Sequence, residues 1–188
     1  MTIPLVLVVG GSGMLSPLCL RLCDGARTVA VLARNGKRLG ALAGQSRHGH
    51  IVPVIADYRD ALLFAHTLDG LAQSHGRPTR TICWIHDEAA PEALLQIADR
   101  VEGILWHVLG SAACDPAQPQ VLSGWLARFQ NRNPQLDYRQ IVLGFVLEAG
   151  KSRWLTDTEI SDGVYDATEN TDALNIVGVV DPWSRRPH

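Results

Sequence analysis

The sequence lacks the features that would direct this chain to a nucleic acid or into a membrane. No stretch concentrates lysine and arginine, and the formal net charge is −2, whereas a nucleic-acid surface requires a dense positive patch. The longest apolar runs, such as residues 3–9, are far shorter than the roughly 20 residues that cross a bilayer as a helix. We therefore expect neither a nucleic-acid partner nor a membrane partner.

Cysteine is also scarce, which argues against a fold held together by disulfide bonds. Four cysteines in 188 residues do not make a disulfide framework in a chain long enough to bury its own core. Cys19 and Cys23 are four residues apart on one predicted helix face, a spacing that metal ligands can have, but no second pair of ligands matches it. We expect both to pack as small apolar side chains, and we expect no metal site.

The start of the sequence bears on the cellular compartment. It has no basic region followed by an apolar segment and a small-residue cleavage site, which is the pattern of a secretory signal. Unpaired cysteines also suit a reducing environment. We expect a cytoplasmic location.

The sequence does have a regular alternation of short β-rich runs and helical segments. Most of the predicted strands are nearly continuous in Val, Ile and Leu, as strands buried on both faces are. These strands are residues 4–9, 28–33, 51–56, 81–86, 103–109 and 140–146. The intervening stretches carry apolar residues at helical spacing, for example Leu15, Leu18 and Leu22. This alternation predicts an α/β class: a three-layer Rossmann fold with a doubly wound parallel sheet of six or seven strands and helices on both faces.

Weaker signals follow the sixth strand. Thr156-Asp-Thr-Glu159 is a capping box that predicts a helix through about Ala167. Residues 175–180 are a candidate seventh strand, and the polar segment 182–188 is expected to be irregular. Because no linker, internal repeat or low-complexity segment divides the sequence, we predict a single domain over residues 1–188.

The turn after the first strand is rich in glycine and reads Gly10-Gly11-Ser12-Gly13-Met14. Glycine permits a positive φ in a tight turn, and the missing Cβ lets a pyrophosphate approach the backbone. The helix that follows offers free N–H groups and the positive end of its dipole to the phosphates. Its position in the first turn of a β/α repeat favours a dinucleotide site formed by these five residues over a plain glycine-rich turn.

The end of the second strand distinguishes between the two nicotinamide cofactors. An acidic side chain there would accept hydrogen bonds from the ribose of NAD, but residues 33–38 contain no carboxylate. The cations at this point suit the 2′-phosphate of NADP(H), and the planar fork of Arg34 can hold a phosphate through two hydrogen bonds. We predict NADP(H) as the cofactor, with Arg34, Asn35 and Arg38 around its phosphate. The alternative is that these cations are simply solvated.

Taken in order, these motifs resemble the short-chain dehydrogenase/reductase superfamily, in an atypical branch. The resemblance covers roughly residues 4–167 and includes the family's cofactor- and substrate-facing loop at residues 150–156, in location only. The matching residues are Gly10-Gly11-Ser12-Gly13 after strand one, Arg34 after strand two, Asp57 after strand three and Ser111 after strand five. The resemblance implies a Rossmann fold and oxidation or reduction of a small-molecule alcohol or carbonyl. Asp57 and Tyr58 are predicted to lie beside the adenine.

One feature of that superfamily is missing. Its members carry a tyrosine and, four residues later, a lysine on the helix after strand five, whereas the predicted helix 118–130 has neither. Tyr138 has no lysine at the required spacing. It also precedes the sixth strand, at the sheet edge opposite the one where ligands bind. We therefore predict that Tyr138 is not part of the site.

The strand ends supply other candidates for catalysis. His86 and Ser111 are expected at the ends of strands four and five, where His86 could pass a proton to a carbonyl oxygen while Ser111 donates a hydrogen bond. Both also count as cofactor-binding residues, since they would lie near the nicotinamide ribose. The alternatives are a purely local hydrogen bond for Ser111, and for His86 a hydrogen bond to a ribose or loop carbonyl alone. Lys151 and Arg153 could reach the same crevice, whereas His107 is predicted to be a core residue.

Two functions stay open at this point. The first is an NADP(H)-dependent oxidoreductase of short-chain dehydrogenase type acting on a small carbonyl or alcohol. The second is a non-catalytic NADP(H)-binding module that regulates or stabilises a partner. The matching motifs favour the first and the missing Tyr/Lys pair favours the second. The sequence does not identify the substrate, and it is compatible with a homo-oligomer.

Overall fold

Runs of branched aliphatic residues form the central sheet. The computed structural model describes residues 5–24, 27–47, 50–85 and 90–187. Its strands are β1 (Leu5–Val9), β2 (Thr28–Ala33), β3 (His50–Ile55), β4 (Arg80–Trp84), β5 (Ile104–Gly110), β6 (Asp137–Leu143), β7 (Phe145–Glu148), β8 (Lys151–Trp154) and β9 (Leu174–Val177). Seven of them pair in parallel in the order β3-β2-β1-β4-β5-β6-β9, and β7 and β8 form a separate antiparallel hairpin.

Helices cover both faces of this sheet. They are α1 (Ser16–Asp24), α2 (Gly36–Gln45), α3 (Ala61–His75), α4 (Ala90–Ala98), α5 (Val121–Arg132) and α6 (Asp157–Glu169). Successive β1 side chains point to opposite sides, as the two-residue period of a strand requires. Leu7 belongs to a core cluster with residues of α3, α4 and α5, whereas Val8 belongs to a second cluster with residues of α1, α2 and α6. The α/β three-layer Rossmann prediction, with seven strands in the main sheet, is confirmed.

The segment after β6 differs from the sequence-based expectation. The sixth strand ends at Leu143 instead of residue 146, because Gly144 passes against the backbone carbonyls of Val177 and Val179, where a side chain would not fit. The chain then turns back as the β7–β8 hairpin. Its two-residue turn, Ala149-Gly150, has positive φ at both positions (47° and 76°), as the tight hairpin turns of type I′ do.

Other boundaries shift by a few residues. β9 spans Leu174–Val177 instead of 175–180, and α5 begins at Val121 instead of residue 118. The capping box is present as predicted: the Thr156 hydroxyl accepts from the Glu159 backbone N–H, and the Glu159 carboxylate accepts from the Thr156 N–H. It opens α6, which continues to Glu169.

Cys19 and Cys23 lie on the inner face of α1 and are buried in the core. Among the residues that the structure describes, no group of three or more His, Cys, Asp or Glu side chains could hold a metal ion. Within the same residues, no helix is both long enough and apolar enough to cross a bilayer.

Two polar side chains pair inside the core layer next to α5. The His107 Nδ1 atom lies 2.9 Å from the Tyr138 hydroxyl, and Gln140 donates to the same hydroxyl from 3.2 Å. His107 also meets the Trp125 ring edge-on at 4.8 Å between centroids. Burial lowers the pKa of His107 to about 3, because a charged imidazole would lose its hydration there. His107 is a hydrogen-bonded core residue, as its position within the fifth strand predicts.

This buried imidazole should make the fold sensitive to acid. Between about pH 6.5 and about pH 3 the unfolded chain binds a proton at His107 and the folded chain does not, so the free energy of unfolding falls as the pH falls. From pH 7 to pH 4.5 the loss is about 2.5 kcal/mol, because it accumulates at about 1.4 kcal/mol per pH unit only below about pH 6.5. His107→Gln keeps a neutral hydrogen-bonding side chain and should remove this component. Urea unfolding at both pH values measures it, and equal pH dependence in wild type and variant would contradict the assignment.

Candidate functional site

A cavity of about 440 Å³ opens at the carboxyl ends of β1 and β2, and we call it the loop pocket. Its wall combines the turn after β1, the turn after β2 and the ends of neighbouring strands. The lining residues are Val9, Gly10, Ser12, Gly13, Leu32, Ala33, Arg34, Asn35, Arg38, Tyr58 and Trp84. Ligands of open α/β sheets bind at this edge, where strand order reverses on either side of β1.

The three glycines of the turn have different surroundings. Gly10 has a φ of 80° and donates its N–H to the Leu32 carbonyl at 2.9 Å, and a Cβ there would collide with the Trp84 carbonyl. A Cβ on Gly11 would lie only 2.8 Å from Cys19 Sγ, so Gly11 lets the loop pack onto α1. Gly13 faces open space, with no heavy atom within 4 Å of its Cβ position. Gly10 and Gly11 shape the turn, and Gly13 leaves its backbone accessible from the pocket.

The turn after β2 gives the loop pocket a positive rim. Arg34 and Arg38 are exposed, and the Arg34 guanidinium lies 5.7 Å from the centre of the Tyr58 ring. Within the described ranges, no carboxylate forms a salt bridge with either arginine. The Asn35 side chain accepts a hydrogen bond from the Arg38 backbone N–H at 3.0 Å and caps α2. These residues can hold an anion, with Asn35 fixing the turn that presents the two cations.

A second cavity, of about 260 Å³, lies beyond Trp84, and we call it the apolar cavity. Trp84 lines both cavities and so separates them. The lining residues of the second one are Met14, Trp84, Gly110, Ser111, Ala112, Leu143, Gly144, Trp154, Leu155, Ile160 and Arg186. Ser111 begins the 3₁₀ turn Ser111–Cys114 directly after β5 and is only 4 % exposed. Its Oγ accepts a hydrogen bond from Arg186 Nε at 2.8 Å.

The structure brings most of the sequence-predicted cofactor residues to the loop pocket, with four differences among the described residues. Gly11 lies beneath it, and Met14 and Ser111 line the apolar cavity. Asp57 lines neither cavity and accepts a hydrogen bond from the Arg59 backbone N–H at 3.0 Å. His86 lies outside the described residues, so its role stays a prediction.

Lys151 and Arg153, expected to reach the crevice, line neither cavity. Both belong to β8. Arg153 donates to the two Glu159 carboxylate oxygens at 2.8 and 2.9 Å. This contact and the Thr156 donors lower the pKa of Glu159 to about 2. The pair ties the hairpin to the start of α6 and directs Arg153 away from the cavity.

Tyr138 lies far from Ser111. It is in register with Leu105, six residues before Ser111 in the chain, which places the two side chains roughly 20 Å apart at about 3.3 Å per strand residue. Its hydroxyl is hydrogen-bonded to His107 in the core. The α5 helix contains no tyrosine or lysine. Tyr138 is a core residue at the amino end of the sheet.

Sequence reasoning missed the residues that enclose the apolar cavity. Trp84 could have been found, because it lies near the carboxyl end of the predicted strand 81–86. Trp154 lies in the β7–β8 hairpin, which the sequence pattern does not predict. Arg186 lies in the segment 182–188, which has no periodic pattern and is predicted to be irregular. The structure shows a 3₁₀ turn there at Trp183–Arg185, and Arg186 contacts Ser111.

Comparison with known proteins identifies the fold. No protein-family model and no curated protein matches the sequence. A short chain dehydrogenase from Bacillus anthracis superposes with a TM-score of 0.73 at 15% identity, over 93% of this chain and 95% of that one. A metagenomic short-chain oxidoreductase in complex with NADP superposes with a TM-score of 0.65 at 16% identity, over 95% of this chain and 97% of that one. An alcohol dehydrogenase from Thermococcus sibiricus complexed with 5-hydroxy-NADP superposes with a TM-score of 0.68 at 15% identity, over 99% of both chains. This chain has the fold of these enzymes.

Proposed function

We propose that this chain is an NADP(H)-dependent oxidoreductase of the short-chain dehydrogenase/reductase superfamily that acts on a small carbonyl or alcohol. The observation that carries the proposal is the pairing of two adjoining cavities across Trp84. One has an accessible glycine turn and a cationic rim, and the other has a buried serine at the end of β5. The fold shared with a short-chain oxidoreductase in complex with NADP and with an alcohol dehydrogenase complexed with 5-hydroxy-NADP agrees with it.

The loop pocket fits the phosphates of NADP(H). Gly13 leaves room for a pyrophosphate beside the backbone, and α1 begins three residues later with the positive end of its dipole toward the turn. Arg34 and Arg38 would hold the 2′-phosphate through charge-assisted hydrogen bonds. Tyr58, beside Arg34, would flank the adenine.

Ser111 has a defined part in the proposed reaction. When bound, NADPH supplies a hydride to the carbonyl carbon, and the carbonyl oxygen takes up a proton, so that the products are an alcohol and NADP⁺. Arg186 can only donate hydrogen bonds, so the Ser111 O–H stays available to donate to that oxygen. His86 is the proposed proton donor.

The cofactor preference tests the proposal. Wild type should bind NADPH at least ~10-fold more tightly than NADH, since one charge-assisted pairing contributes roughly 1.5–3 kcal/mol. Arg34→Ala should erase most of that difference and leave NADH binding nearly unchanged. Fluorescence titration measures both affinities, and Arg128→Ala on α5 removes the same charge far from the pocket as a control. Equal wild-type affinity for the two cofactors would refute the assignment of Arg34.

A second candidate function is a non-catalytic NADP(H)-binding module. The observation that favours it is the absence of tyrosine and lysine from α5, the helix that follows β5. Oxidation of NADPH with a panel of aldehydes and ketones separates the two functions. Tight NADPH binding without turnover on any of them would favour the binding module.

A further inference from the structure

The segment after β9 contributes an arginine, Arg186, to the lining of the apolar cavity. Arg186 donates from Nε to Ser111 Oγ at 2.8 Å. Its guanidinium also lies 4.9 Å from the centre of the Trp154 ring and 5.3 Å from that of Trp183, within the range of cation–π attraction. Three contacts from the end of β5, the hairpin and its own segment therefore fix the position of this side chain.

The charge of Arg186 has no anionic partner in the described part of the chain. Of its five N–H donors, the Nε–H is taken by Ser111, and the four on Nη1 and Nη2 have no hydrogen-bond acceptor among the described residues. Arg153, by contrast, is neutralised by Glu159. Partial burial of a guanidinium in a cavity lined largely by Met, Trp, Leu and Ile side chains costs free energy unless an anion pairs with the charge.

We propose that Arg186 binds the carboxylate of the substrate, which makes the substrate a small oxo acid or the corresponding hydroxy acid. With Nε engaged by Ser111, the guanidinium presents its Nη1/Nη2 end, whose two parallel N–H groups match the two oxygens of a carboxylate. The remaining lining is apolar and accommodates the rest of a small molecule.

The hydrogen bond between Arg186 and Ser111 places the carboxylate site and the Ser111 hydroxyl in one cavity, on different sides of the guanidinium. This inference rests on the proposed function for the hydride transfer, but the carboxylate site itself does not require turnover.

The test uses two probes of nearly the same shape, the anion benzoylformate and its neutral amide, titrated by calorimetry into the full chain with and without NADP⁺. Wild type should bind benzoylformate at least ~10-fold more tightly than the amide. Arg186→Ala should abolish that difference, and Arg186→Lys should keep part of it, since lysine retains the charge without the planar fork. Arg185→Ala, which removes an exposed neighbouring charge, should change nothing.

The outcomes separate this inference from the proposed function. Equal binding of acid and amide by wild type, or an unchanged preference in Arg186→Ala, would overturn the carboxylate site even if NADPH binds and other carbonyls are reduced. A loss of NADPH affinity in Arg186→Ala with benzoylformate binding intact would assign Arg186 to the cofactor and overturn it as well. Arg186-dependent benzoylformate binding in a chain that does not bind NADPH would support the carboxylate site and refute the proposed function.

Discussion

A valine at position 13 should abolish NADPH binding while the protein stays folded. Gly13 is exposed at the turn after β1, and no heavy atom lies within 4 Å of where its Cβ would be. The added side chain would therefore project into the space that a pyrophosphate needs for its approach to the backbone. We expect NADPH affinity to fall at least ~100-fold, because every phosphate contact along the turn is displaced at once. Fluorescence titration with NADPH measures the loss.

The chain offers a matched control for this variant. Gly70 on α3 also has no heavy atom within 4 Å of its Cβ position and is exposed, but it lies away from both cavities. Gly70→Val makes the same change in size and should leave NADPH affinity unaltered. An unchanged affinity in a folded Gly13→Val variant would show that the turn does not bind the pyrophosphate.

The sequence predicts the glycine-rich turn but not which atoms surround each of its glycines. The string Gly10-Gly11-Ser12-Gly13 marks the position because it follows a buried strand and precedes a helix. What each glycine faces depends on residues distant in sequence: Gly10 meets the Trp84 carbonyl, and Gly11 meets Cys19 and the β2 side chain Val31. The strands themselves were predictable because burial on both faces selects continuous runs of branched residues.

Two parts of the candidate site could not be predicted, for physical reasons. The apolar run of β6 continues through residues 145–147, so hydrophobicity alone does not show that the chain turns into the β7–β8 hairpin. Arg186 contacts Ser111 across 75 residues of sequence, and a short polar segment has no periodicity from which such a contact could be inferred. The cofactor half of the site depends on a local motif, whereas the substrate half depends on tertiary contacts.

The largest expected effect on turnover concerns Ser111. Its hydroxyl lines the apolar cavity, and a charge-assisted hydrogen bond from Arg186 leaves its proton free to point at a substrate oxygen. Removal of one preorganised donor to a developing oxyanion typically costs ~10²–10³-fold in kcat. Ser111→Ala should therefore lose about that much in kcat with the best carbonyl found in the panel. NADPH affinity should change little, since Ser111 lies outside the loop pocket.

Tyr138→Phe is the informative control for this loss, because it removes the hydroxyl of the other residue that a family-based argument would suspect. That hydroxyl contacts His107 and Gln140 inside the core, at the opposite end of the sheet. Its removal should lower the free energy of unfolding by about 1 kcal/mol and leave kcat at the wild-type value below the melting transition. Steady-state kinetics and urea unfolding on both variants give the two readouts. If Ser111→Ala retains full kcat, or if Tyr138→Phe loses kcat while remaining folded, the reacting carbonyl is not at the end of β5, because the two hydroxyls are too far apart to serve one substrate oxygen.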